Sequence, residues 1–124
     1  MDHSAGFLKL VADAKSGVKE IDLNQARERL ASNADAQLID VREDTEWANG
    51  HAAGARHLSR GIIERDIEKE IPDKDRELIL YCGGGYRSAL VAESLQKMGY
   101  TNVYSMDGGW KAWKDSGAPI EGII

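Results

Sequence analysis

Cysteine, phenylalanine and proline are scarce in this chain, with one Cys, one Phe and two Pro among 124 residues. A single cysteine excludes an internal disulfide and any metal site built from several thiolates. No apolar stretch approaches the roughly 18 residues needed to span a membrane. Basic residues are outnumbered, 16 Lys and Arg against 21 Asp and Glu, for a net charge of −5. That balance argues against general nucleic-acid binding, and an anionic ligand would need a local cationic spot to hold it against the overall field. The N-terminus carries an acid at once, Asp2, and no long apolar segment follows, so it does not read as a secretory signal and a cytoplasmic location is expected. Nothing in the composition suggests disorder, collagen or a coiled coil. The length fits one domain, which would bury roughly two-thirds of its unfolded surface.

What is present is an alternation of short apolar runs with amphipathic stretches. Residues 5–14 form a helix on the spacing of Phe7, Leu8, Val11 and Ala12. VKEI (18–21) reads as a strand, and Asp22 as the N-cap of a helix with Gln25 completing a capping box. QLIDV (37–41) reads as a buried strand, 45–49 as a helical turn and 55–58 as a brief strand. Ile63, Ile67 and Ile71 are spaced four apart and place a helix over 61–71, stopped by Pro72. ELILY (77–81) is the strongest strand signal, followed by a helix over 88–98 with Gly99 after it, then a strand at 102–106. Trp110 and Trp113 share a face of a last short helix ended by Gly117. Strands alternating with helices imply an α/β fold with a mostly parallel sheet covered on both faces. Ligands of such sheets bind beyond the C-terminal strand ends, where Cys82 falls.

The stretch YCGGGYRS (81–88) carries the chemistry. Glycines let the chain curl so that successive N–H groups point inward as an anion nest. The following helix adds its free N–H groups and positive dipole end, and Arg87 adds a permanent cation. A thiol in that arrangement has a lowered pKa and attacks sulfur or phosphorus electrophiles. The same nest stabilises a persulfide. The competing reading is a structural cysteine beside a Gly-rich turn. The position after the strongest strand, the three glycines and the closing arginine favour the nucleophile. A nucleotide P-loop is excluded because no lysine follows the glycines.

Four spaced motifs, LIDVRE (38–43), GHAAGARHL (50–58), YCGGGYRS (81–88) and NVYSMDGGWKAW (102–113), together resemble the rhodanese, or sulfurtransferase, domains. The resemblance covers residues 18–120 and leaves 1–17 as an N-terminal extension, expected to be helical, and 121–124 as a tail. It implies a parallel five-stranded sheet flanked by helices, with Cys82 taking up sulfane sulfur as a persulfide. Gly83, Gly84, Gly85, Tyr86 and Arg87 match the loop around the bound sulfur. It also implies a small sulfur donor, a thiol or cyanide acceptor, a protein as a further possible acceptor, and no metal or organic cofactor. Related phosphatases resemble CxxxxxR, with five residues between Cys and Arg. Here four intervene, which suits one sulfur atom rather than a phosphoryl group. Residues 83–86 carry no basic side chain, unlike the loops of many thiosulfate enzymes, so Arg87 is expected to be the sole loop cation. The alternative to an enzyme is a sulfur carrier or regulatory persulfide module that serves a partner protein.

Around this loop, Asp40 is expected to bond loop amides at the same sheet edge, with Ser88 as a further supporting residue. Arg60 is either an anion-recruiting cation or a solvated surface arginine. Arg42 and Glu46, four apart, are expected to pair. His51 reads as structural, because a nest-lowered thiol needs no base, and His3 and His57 carry no signal. Trp47, Trp110 and Trp113 read as packing, and Tyr86 as a wall of the pocket.

Overall fold

A computed structural model describes residues 2–122. Helix α1 (Ala5–Lys15) leads into strand β1 (Lys19–Ile21), helix α2 (Leu23–Ser32) and strand β2 (Gln37–Asp40). A short helix α3 (Asp44–Ala48) precedes two-residue strands β3 (His51–Ala52) and β4 (Arg56–His57). Helix α4 (Ile63–Glu70), strand β5 (Leu78–Tyr81), helix α5 (Tyr86–Lys97), strand β6 (Val103–Met106), helix α6 (Gly109–Asp115) and strand β7 (Ile120–Glu121) complete the chain. Five strands form one sheet in the order β1-β6-β5-β2-β4, with every neighbouring pair parallel. The expected five-stranded parallel sheet flanked by helices is therefore the architecture observed.

The central strand explains itself. All four residues of LILY in β5 are buried, as a strand covered on both faces requires. On one face Ile39, Leu78 and Leu80 pack with Ile63, Ile67 and Ile71 of the α4 segment and with Val91 and Leu95 of α5. On the other, Leu38, Ile79 and Tyr81 pack with Ala26 of α2 and Trp113 of α6. The period-2 alternation of a strand thus assigns each residue of 78–82 to one of two cores. A third cluster joins α1 to α5 through Val11, Ala14 and Leu90, with Phe7 and Tyr86 against it. The Asp22–Gln25 capping box forms in both directions, at 2.8 and 2.9 Å.

Four elements differ from expectation. Helix α5 starts at Tyr86 rather than Ser88, because Gly85 takes φ +108° and turns the chain straight into the helix. Helix α4 starts at Ile63, with Ser59–Ile62 spent on a turn whose carbonyl at Ser59 accepts from Ile62 and Ile63. Strands β3 and β7 pair antiparallel, so Glu121 is a strand residue rather than a tail residue; Ile123 and Ile124 lie outside the described residues. A two-residue strand has no periodicity for a sequence pattern to reveal. Among the described residues, no helix is long and apolar enough to cross a membrane.

Candidate active site

Cys82 is the first residue after β5 and lies in the core on the α4–α5 side, 1% exposed. Helix α6 holds the loop from behind. The amides of Trp110 and Lys111 donate to the carbonyls of Cys82 and Gly83, at 2.7 and 3.2 Å. This engages the loop carbonyls on α6 and leaves loop N–H groups for the thiol side. The docking is so close that a Cβ on Gly109 would stand 2.3 Å from the Cys82 oxygen, so only glycine fits there. At Gly85 a side chain would meet Asp107 at 3.2 Å as well as an unfavourable positive φ.

The amide of Gly85 donates to Cys82 Sγ at 3.1 Å, and Ser88 Oγ lies 3.6 Å from the same sulfur. Burial pushes the thiol up, but the amide and hydroxyl of Ser88 and the amides of Gly85 and Gly84 outweigh it, so the Cys82 pKa falls below the ordinary thiol value. Ser88 Oγ is also 2.8 Å from Ser105 Oγ of β6, and both serines are fully buried. A hydroxyl has one proton to give. When Ser88 donates to a Cys82 thiolate, Ser105 must donate to Ser88, which makes a two-hydroxyl chain ending on sulfur.

Arg87 sits in the first turn of α5 and forms a two-pronged pair with Glu46 of α3, at 2.7 and 3.0 Å. The hydrogen bond from Arg87 holds the Glu46 carboxyl below its ordinary value, against a smaller effect of burial, and the pair keeps Arg87 firmly charged. The expected Arg42–Glu46 pair does not form. Arg42 turns instead to Asp40, with Nη2 at 2.8 Å and Nε 3.1 Å from each carboxylate oxygen. The reason is β2 geometry: Asp40 lies in register with Tyr81, whose hydroxyl donates to it at 2.7 Å, on the face opposite Cys82. Asp40 does accept one amide, that of Arg42 at 2.8 Å, but it is not among the residues that line the Cys82 pocket. Arg42 also donates to the Gly50 carbonyl at 2.7 Å and stacks over Trp110.

A cavity of about 960 Å³ opens over Cys82, Gly84, Tyr86 and Arg87. Arg60 lines it, as do Glu46 and Asp107. So do His3, Phe7 and Lys15, which sequence reasoning left without a role. Arg87 is thus not the only cation at the cavity, though it is the only one on the loop. No sequence signal linked α1 to the loop, because that meeting depends on α1 packing against α5. His51 stacks on Trp47, its Nδ1 3.1 Å from the Trp47 carbonyl, and is not among the cavity-lining residues.

The comparisons with known proteins agree with this geometry. The Rhodanese-like domain profile matches residues 22–116. A sulfurtransferase of Allochromatium vinosum is 38% identical over 103 residues, 83% of this chain and 94% of that protein. A putative sulfurtransferase of Bacillus subtilis is 35% identical over 102 residues, 82% of this chain and 96% of that one. Among solved structures, a Rhodopseudomonas palustris protein of unknown function, described as a possible tyrosine phosphatase, matches with TM-score 0.83 and 31% identity over 98% of both chains. With the parallel sheet, the sulfur nest after its central strand and these matches together, the chain belongs to the rhodanese-like domain family.

Proposed function

We infer that this protein is a sulfurtransferase working through a Cys82 persulfide, with thiosulfate or another sulfane-sulfur compound as donor. The Cys82 thiolate attacks the outer sulfur of the donor. A new S–S bond forms at Sγ, the donor's own S–S bond breaks, and sulfite leaves with the electron pair. An acceptor thiolate, on a small molecule or a partner protein, or cyanide in an assay, then attacks the outer persulfide sulfur and releases the Cys82 thiolate. No organic cofactor or metal enters either step. The single observation that carries this reading is the sulfur of Cys82 facing the Gly85 amide and the Ser88 hydroxyl, with Cys82 among the residues that line the cavity. Those donors stabilise negative charge on sulfur both before attack and in the persulfide. Arg87 steers the anionic donor into the loop.

Exposure to thiosulfate should raise the intact mass by one sulfur, removable by cyanide with release of thiocyanate. Cys82→Ser should remain folded, take up no sulfur and release no thiocyanate. Turnover by that variant would end the reading. Strong hydrolysis of an aryl phosphate that depends on Cys82 would shift the class to a phosphatase instead.

A further inference from the structure

The cavity over Cys82 is larger than an inorganic donor needs. At about 960 Å³ it matches the upper part of the roughly 300–1,000 Å³ range of sites that enclose whole organic ligands. Its lining has two parts. One is a three-ring wall, with the centroid of His3 5.1 Å from that of Phe7 and 5.0 Å from that of Tyr86, and Phe7 and Tyr86 6.2 Å apart. The other is a set of charges. Arg87 is matched by Glu46, and Lys15 stands 3.3 Å from Glu20 and 5.1 Å from the Tyr86 ring centre. Arg60 enters no ion pair among the described residues. Asp2 and Asp107 also line the cavity, so that with Glu46 its three carboxylates balance Lys15, Arg60 and Arg87. A highly charged inorganic dianion would leave the rings idle. A singly charged organic anion uses both parts, with its flat body on the rings and its charged end toward Arg60 and the loop.

We propose that the N-terminal segment, through His3 and Phe7 with Tyr86 of α5, forms a subsite for the flat apolar body of an organic sulfane-sulfur donor, such as an aryl thiosulfonate. This deepens the sulfurtransferase reading and rests on it. The transfer balances as before: Cys82 Sγ bonds to the terminal sulfur, the S–S bond to the sulfonyl group breaks, and the organic sulfinate leaves with the electron pair. Aromatic side chains favour such a body because ring–ring contact adds to the burial of apolar area.

The test uses the full chain, cyanide as acceptor and three donors: thiosulfate, methanethiosulfonate and benzenethiosulfonate. Each organic donor's kcat/KM is divided by its rate with a free small thiolate, which removes intrinsic reactivity. The corrected preference for the benzene over the methane donor should be about five- to tenfold in the wild type. His3→Ala and Phe7→Leu should each pull that ratio toward one, and the double variant further. A purely structural change lowers both organic donors together and leaves the ratio alone, and thermal melting checks folding. Should Phe7→Leu fail to fold, the wild-type ratio and His3→Ala decide. A wild-type ratio near one, or a ratio that neither variant moves, overturns the subsite. Failure of all three donors to load Cys82 overturns the sulfurtransferase reading itself.

Discussion

Tyr81 and Cys82 are neighbours in the chain and open onto opposite faces of the sheet, and the two faces treat similar groups differently. On the Tyr81 side, Asp40 receives the Arg42 guanidinium, the Arg42 amide and the Tyr81 hydroxyl, which in turn accepts from the Ala52 amide at 3.0 Å. That network is sealed, with Arg42 3% and Asp40 0% exposed. On the Cys82 side an arginine–carboxylate pair and a chain of hydroxyls are present too, but Arg87 and Glu46 keep 27% and 36% of their side chains exposed. The hydroxyl chain there ends on a sulfur that lines a cavity. A closed network of satisfied charges acts as a clamp. The same kinds of group on the Cys82 side border a cavity that Arg87 and Cys82 both line, which is the arrangement the proposed function would use.

The sharpest way to break this comparison is on the sealed side. Asp40→Ala leaves the Arg42 guanidinium buried without its carboxylate, which typically costs about 3–5 kcal/mol. Urea unfolding should show a loss of that size, and a variant as stable as wild type would refute the clamp. On the open side, Arg87→Ala should instead cost catalysis. Charge-assisted contacts are worth about 1.5–3 kcal/mol, so kcat/KM for thiosulfate should fall about ten- to hundredfold with a modest change in melting. Equal effects on melting and kinetics would blur the two faces.

Smaller effects sharpen it further. Ser105→Ala removes the hydroxyl behind Ser88 and should raise the Cys82 pKa toward that of an ordinary thiol. Its lowered pKa means that thiolate persists as pH falls until that pKa is crossed. Ultraviolet thiolate absorbance and the acid limb of kcat/KM should therefore move together to higher pH in the variant, and an unmoved limb would remove Ser105 from the chain. The smallest change concerns Glu46. Its folded pKa is depressed, so its contribution to stability is full above the unfolded value, about 4.3, and is lost as pH falls through the folded value. Glu46→Gln should flatten that part of the acid unfolding curve while costing only about 0–1 kcal/mol at neutral pH, since the pair is partly exposed.

Much of this was legible in the chain. The short, mostly apolar runs of β2, β5 and β6 and the four-residue spacing of Ile63, Ile67 and Ile71 report burial directly, and burial follows backbone periodicity. The tight turn from β5 into α5 was legible because three successive glycines follow the strand, and Gly85 takes the positive φ there. Arg42 and Glu46 show the limit. Their i, i+4 spacing suggested a helical pair, but Arg42 precedes α3 and reaches back to β2.

By itself the sequence determined the α/β alternation, the place of Cys82 after the central strand and the loop of four residues between Cys82 and Arg87, because each depends on local backbone preference and chain order. Only the tertiary structure decided which carboxylate each arginine holds, that Ser105 stands behind Ser88, and that His3, Phe7 and Lys15 line the cavity. The physical reason is range. Hydrogen bonds and ring contacts act over a few ångströms, and these partners lie far apart in the chain until the sheet and α1 are packed.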